Sequence, residues 1–234
     1  MTRGFLLQPI GVITGLTREA DCLAGFPAAG RPRVLCSGAD PARAVTHARQ
    51  LIGEGCRGLV SFGVAGGLVD GLVAGSLVVA DAVVLPDGRR LVTAAAWRDG
   101  LLRALSAEAT VLVAAVAGSD RIVGTVRAKR ALAAGTGAVA VDMESHGVAA
   151  AAQAAGVPFL VVRAISDAAD ARLPAWVAGC IGADGSRRWG AVVAGVVGNP
   201  RDIPALVRLA GGSNKALAGL RRVAGRAGPS FGFP

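Results

Sequence analysis

Between residues 9 and 167 the hydrophobic pattern of the chain changes period repeatedly. The apolar runs "PIGVITG" (9–15), "RVLCSG" (33–38), "GLVSFGVAGGL" (58–68), "GSLVVADAVVL" (75–85) and "TVLVAAVAG" (110–118) read as strands. "ADPARAVTHARQLIGEG" (39–55), "VRAKRALAA" (126–134) and "MESHGVAAAAQAAG" (143–156) read as helices, the first with Pro41 near its start and Gly53 and Gly55 at its end. "VPFLVVRAIS" (157–166) is apolar on both faces, as the innermost strand of a covered sheet should be. Such alternation predicts an α/β chain with a mostly parallel or mixed sheet sandwiched by helices, in which ligands sit beyond the carboxyl ends of strands.

Composition narrows the class. The chain has 234 residues, 53% of them hydrophobic, enough for one well-buried domain. No uncharged apolar run reaches the roughly 18 residues of a spanning helix; the best candidate, 147–162, breaks at Gly156-Val157-Pro158. The opening "MTRGFLLQPIGVITG" lacks a long apolar core and a clear cleavage site, so it reads as strand rather than export signal. Cys22, Cys36, Cys56 and Cys180 show no CxxC or metal-like spacing, and only two histidines are present. Reduced thiols, a cytoplasmic setting and no bound metal are therefore expected.

The formal charge of +9 is concentrated at one end. From Arg187 onward the basic residues 187, 188, 201, 208, 215, 221, 222 and 226 face a single acid, Asp202. In this basic C-terminal part, about 175–234, the segments "DIPALVRLA" (202–210) and "NKALAGLRRVA" (214–224) set leucines among arginines in a helical rhythm. A solvated helix face, an anionic membrane surface and nucleic acid all suit that pattern. From Arg187 onward aromatics are scarce, only Trp189, Phe231 and Phe233, which weighs against bases as the partner.

Three groups of acids follow three strands. "VVRAISDAAD" (161–170) ends an apolar run in Arg163, Ser166, Asp167 and Asp170. A carboxylate losing water there must find a partner or take up a proton, unless it simply caps the next helix. In "VAVDMESHG" (139–147) a strand ends at Asp142 and a helix begins with Met143 and Glu144, where acids favour the helix dipole. A carboxylate at that point can also accept two hydrogen bonds from a vicinal diol. "GLTREAD" (15–21) brings Glu19. The glycines of "GVAGGLVDG" (63–71) match neither GxGxxG nor a P-loop; Gly63, Gly66 and Gly67 either form a tight turn or let a ligand lie against main-chain N–H groups. Three converging carboxylates suit glycosidic chemistry.

"GVAGGL", "AVDMES" and above all "VPFLVVRAISDAAD" resemble, in order and spacing over about residues 8–170, the nucleoside phosphorylase superfamily on its methylthioadenosine/S-adenosylhomocysteine nucleosidase side. "PAWVAGCIGADGSRRW" (174–189) and "NPRDIPALVRLA" (199–210) resemble a narrower branch, the hopanoid-associated phosphorylases that act on adenosylhopane. The resemblance implies a single-domain, three-layer α/β/α sandwich with a twisted mixed central sheet spanning 1–234, often assembled as homo-oligomers. It implies Asp167 as the general acid to purine N7, oriented by Ser166. Glu19 would activate water, with Arg163 helping to hold that water and carboxylate. Glu144 would grip the ribose hydroxyls over Met143, with Asp142, Ala65 and Gly66 also at the substrate.

Departures from the pattern bear on the nucleophile and the base. Where phosphorylases carry a phosphate-binding Arg and Ser, "SFGVAGG" has Ser61 and Val64, which points to water. Arg18 and Arg43 remain as phosphate contacts, with phosphate then a co-substrate and no other cofactor expected. Where nucleosidases stack an aromatic on adenine, "GSDRIVG" (118–124) has Arg121, whose guanidinium can stack on a purine, while Asp120 could read the amino group. The expected substrate is a purine nucleoside: adenosylhopane first, a small nucleoside such as methylthioadenosine as the alternative. A peripheral site at the inner membrane face suits the lipid-linked form, with no nucleic-acid partner. A non-catalytic nucleoside- or lipid-binding module is the rival reading, against which the set Glu19, Glu144 and Asp167 argues.

Overall fold

A computed structural model describes residues 9–28, 30–108 and 111–234, so residues 1–8 of the opening segment and Thr110 at the head of "TVLVAAVAG" lie outside the described residues. The strands are β1 (Ile10–Thr14), β2 (Arg33–Cys36), β3 (Gly58–Gly67), β4 (Leu77–Val84), β5 (Arg90–Val92), β6 (Val111–Gly118), β7 (Ala140–Asp142) and β8 (Phe159–Asp167). The helices are α1 (Thr17–Ala20), α2 (Pro41–Gly53), α3 (Ala95–Ala104), α4 (Val126–Thr136), α5 (Ser145–Ala155), α6 (Trp189–Gly198) and α7 (Ile203–Ala227).

All eight strands form one mixed sheet. β1 runs parallel between β2 and β3, and β8 lies parallel to β3 and antiparallel to β4. β6 and β5 flank β4, parallel and antiparallel respectively. β7 then joins β6 to the far end of β3, where Gly66 pairs with Val141 and Gly67 with Ala140. The strands β3, β8, β4, β6 and β7 thus close on themselves, which brings the carboxyl ends of β3, β7 and β8 to one mouth.

The pleat of β8 explains why its sequence is apolar on both faces. Leu160, Val162 and Ala164 face a core shared with Trp97 and Leu101 of α3 and with Leu217, Leu220 and Val223 of α7. Phe159, Val161 and Ile165 face the opposite core, shared with Ala44, Ala48 and Leu51 of α2 and with Val148, Ala149 and Ala152 of α5. Small residues let α2 and α5 approach closely; a Cβ at Gly147 would lie 3.0 Å from the Pro41 carbonyl. Asp40 caps α2 by accepting the N–H groups of Ala42 and Arg43.

The elements differ from the local pattern at three places. The two tail segments are one helix, α7, running unbroken through Gly211 and Gly212. A Cβ at Gly212 would collide with the Ser166 carbonyl, so this glycine is the point where α7 crosses the end of β8 rather than a break. The helix after β7 starts at Ser145, two residues later than expected, because the Asp142 carboxylate accepts the N–H groups of Glu144 and Ser145 and holds Met143 and Glu144 in a turn. β5 and α3 are additional elements, α3 being anchored by Trp97, whose Nε1 donates to the Phe231 carbonyl at 3.0 Å.

Candidate active site

A cavity of about 780 Å³ opens at the carboxyl ends of β1, β3, β7 and β8. Glu19, Ala65, Gly66, Asp142, Met143, Glu144, Ser166 and Asp167 all line it. The three acid groups that are far apart in sequence therefore share one space.

Glu19 reaches the cavity from α1, directly after β1. Its Oε2 accepts the N–H groups of Gly15 and Leu16 at 2.8 Å each, and its Oε1 accepts that of Val64 at 2.8 Å. Gly63 makes room, since a Cβ there would fall 2.8 Å from the Glu19 carboxyl. Burial pushes the Glu19 carboxyl above its ordinary value, against the pull of the Val64 N–H and Arg163.

Arg163, expected beside Glu19 and the water, is engaged elsewhere. It is only 1% exposed and lies beneath the cavity floor. Its Nε donates to Asp142, its Nη2 donates to Ser61 Oγ at 2.5 Å, and its Nη1 donates to the Val162 carbonyl at 3.1 Å. Nη2 also stands 3.9 Å from Glu144 Oε2. The fully buried strand β8 holds this guanidinium in mid-sheet, where its natural partners are the acids at the end of β7. It balances their charge from below rather than touching a ligand. Burial opposes the Arg163 charge, but Asp142 and Glu144 more than offset it and hold the group above its ordinary value.

Asp142 is committed to Arg163 and to the turn that presents Glu144. Burial, reinforced by Asp142, pushes the Glu144 carboxyl up to about 8. Its neighbour Gly15 is needed as glycine, because a Cβ there would lie 2.5 Å from Glu144 Oε1.

Asp167 finds a partner, and it is one that the sequence reading missed. Lys129 of α4 is 1% exposed, and its Nζ lies 2.5 Å from Asp167 Oδ2. The same ammonium donates to the carbonyls of Ala168 at 2.7 Å and Ala171 at 3.2 Å. Ser166 Oγ lies 2.7 Å from Asp167 Oδ1. A bulge creates this geometry: the β3–β8 register steps from Ala65 opposite Ile165 to Gly66 opposite Asp167, leaving Ser166 unpaired and Asp167 over Gly66. In sequence Lys129 sits among Arg127 and Arg130, both exposed, and nothing local marks the lysine as the inward one.

Arg121 lines the rim of the cavity, whereas Asp120 does not reach the lining. The Asp120 side chain is 67% exposed, with Oδ1 at 3.1 Å from His146 Nε2, so the first turn of α5 draws it away from the expected base-reading position. Arg18 lines the cavity and donates to Asn214 Oδ1 at 3.0 Å. Arg43 is held outside the lining by the Ser37 carbonyl and Asp40. Among the described residues no group of three or more His, Cys, Asp or Glu side chains could hold a metal ion.

The outer part of the cavity is apolar. Trp176, Val177, Trp189, Val192, Leu206 and Leu209 wall it between the segment 175–180, α6 and the first turns of α7.

The family model of the phosphorylase superfamily matches residues 22–179. The chain belongs to the phosphorylase superfamily. No curated protein matches it. Solved structures share the superfamily fold along nearly the whole chain. The 5′-methylthioadenosine/S-adenosylhomocysteine nucleosidase of Neisseria meningitidis, in complex with methylthio-immucillin-A, superposes with a TM-score of 0.73 at 19% identity, covering 94% of this chain and 98% of that one. Futalosine hydrolase of Helicobacter pylori gives a TM-score of 0.73 at 19% identity, with coverage of 94% and 97%. The Helicobacter pylori 5′-methylthioadenosine/S-adenosylhomocysteine nucleosidase, complexed with a substituted pyrrolidin-3-ol, gives a TM-score of 0.71 at 20% identity, with coverage of 94% and 97%. This superfamily member thus carries the expected mixed sheet with helices on both sides.

Proposed function

We propose that the protein hydrolyses the N-glycosidic bond of a purine nucleoside, and that its substrate is adenosylhopane, giving adenine and ribosylhopane. The observation that carries the reaction type is the placement of Glu19, Glu144 and Asp167 around one cavity. Asp167 donates a proton to purine N7 as the C1′–N9 bond breaks with its electron pair going to the base, so that the base leaves neutral. Glu144 accepts the ribose 2′- and 3′-hydroxyls. Glu19 takes a proton from the water whose oxygen bonds to C1′ on the face opposite the base, in the manner of an inverting glycosidase.

Water is favoured over phosphate as the nucleophile because the candidate phosphate ligands are otherwise engaged. Ser61 is buried against Arg163, and Arg43 is tied to Ser37 and Asp40. Arg18 alone of that set lines the cavity.

The lipid-linked substrate is supported by the apolar outer chamber and by the surface around it. Trp189 is 65% exposed, and Val193, Val197, Ile203 and Val207 are exposed alongside it, with Arg187, Arg188, Arg201 and Arg208 nearby in sequence. An apolar patch with arginines at its margin suits the anionic face of a bilayer, from which a lipid tail could enter the chamber. None of the described helices is long and apolar enough to cross a membrane.

The test is incubation of the protein with adenosylhopane or methylthioadenosine, with and without phosphate, followed by mass identification of the sugar product. Free ribosylhopane without added phosphate is expected. A strict phosphate requirement with a ribose 1-phosphate product would overturn hydrolysis. Faster turnover of methylthioadenosine would overturn the lipid assignment. Recovery of bound but uncleaved nucleoside would favour a binding module.

A further inference from the structure

Lys129 is a buried cation that no step of the proposed reaction uses. It comes from α4, 38 residues before Asp167 in the chain, and it is enclosed by three acceptors: Asp167 Oδ2 at 2.5 Å, the Ala168 carbonyl at 2.7 Å and the Ala171 carbonyl at 3.2 Å. An ammonium has three N–H donors, and each finds an acceptor. Burial of a lysine is costly unless it is paired and hydrogen-bonded, so this arrangement holds the side chain in a single place. Two of its bonds go to the turn that follows β8. The third goes to the carboxyl oxygen on the side opposite Ser166, whose hydroxyl takes the other oxygen at 2.7 Å.

We infer that Lys129 is the positioning residue for leaving-group protonation: it fixes the Asp167 carboxyl over Gly66 and pairs with the carboxylate that remains once the proton has passed to the departing base. When the proton moves from Asp167 to N7 and C1′–N9 breaks, a negative charge is left in a buried site. The ammonium at 2.5 Å and the Ser166 hydroxyl at 2.7 Å are already oriented toward it, so no reorganisation is needed at the moment of transfer. Solvent supplies the next proton. This role rests on Asp167 acting as proposed above, and it assigns to Lys129 no contact with the substrate.

The two substrates of the test share the ribofuranosyl ring and differ in whether the leaving group needs that proton. A purine nucleoside requires protonation of its base, whereas 4-nitrophenyl β-D-ribofuranoside releases a leaving group that is stable as an anion. In Lys129→Gln, kcat on the purine nucleoside is expected to fall ~100-fold, within the range of general-acid effects, with KM nearly unchanged. Turnover of the nitrophenyl riboside should stay within about threefold of the unaltered protein, because this leaving group bypasses the general acid. Lys129→Arg, which keeps the charge, should retain more of the purine activity than Lys129→Gln, and it carries the comparison if the glutamine variant does not fold. Equal losses on both substrates, or full purine activity in Lys129→Gln, would overturn the inference alone. Failure of the unaltered protein to cleave any nucleoside would overturn the reading of its function and this inference with it.

Discussion

Glu19 and Val64 tie the first strand to the third across the floor of the cavity: Glu19 Oε1 accepts the Val64 N–H at 2.8 Å, while Oε2 accepts those of Gly15 and Leu16. One carboxyl therefore satisfies three main-chain donors and still faces the space where a nucleoside would sit. Replacing it by glutamine turns an NH2 group toward N–H donors. Glu19→Gln is expected to abolish hydrolysis and to cost about 1–3 kcal/mol of stability, the penalty of unsatisfied buried donors. Denaturant unfolding alongside a turnover assay checks both; unchanged stability would contradict the bonding described.

Glu144 depends on the absence of a side chain at Gly15. A methyl group there would lie 2.5 Å from Glu144 Oε1 and would displace the carboxyl. Gly15→Ala should raise KM for nucleosides by tenfold or more, an effect of about 1.4 kcal/mol on diol binding, while 2′,3′-dideoxynucleosides lose nothing further. Steady-state kinetics on the two substrate types would show it.

Asp167→Asn keeps the shape of the side chain and removes its capacity to act as an acid. Turnover of purine nucleosides should fall by ~100-fold or more. Binding of a non-cleavable nucleoside analogue, followed by calorimetry, should be largely spared. Full turnover in this variant would reject the acid role.

Burial raises the carboxyl groups of both Glu19 and Glu144, the latter to about 8. A carboxyl with a higher pKa in the folded than in the unfolded chain binds its proton more tightly when native. The stability it contributes is complete below its unfolded value of 4.5 and is lost as pH climbs through the native value. For Glu144 the window is therefore about 4.5 to 8, worth on the order of a few kcal/mol. Unfolding free energy should decline from pH 5 to pH 8.5, and Glu144→Gln, a permanent neutral mimic, should flatten that slope. An identical slope in the variant would remove Glu144 as its source.

Much of the framework was legible from local pattern. The strands and helices around residues 10–167, the innermost place of β8 and the acids at strand ends all follow from hydrophobic period and from the position of turns, which act over a few residues. The same reasoning did not join the two tail segments into one helix, α7, whose Gly212 packs against the Ser166 carbonyl. It also placed Asp120 in the site, because sequence position does not reveal that His146 turns its carboxylate outward.

The sequence by itself determined the α/β alternation, the superfamily motifs and the set of three carboxylates that make glycosidic chemistry plausible, since these are properties of neighbouring residues. Tertiary structure alone decided how the buried charges are balanced: Arg163 under Asp142 and Glu144, and Lys129 against Asp167. A charge leaves water only where an opposite charge meets it, and residues 38 positions apart meet only once the sheet has closed.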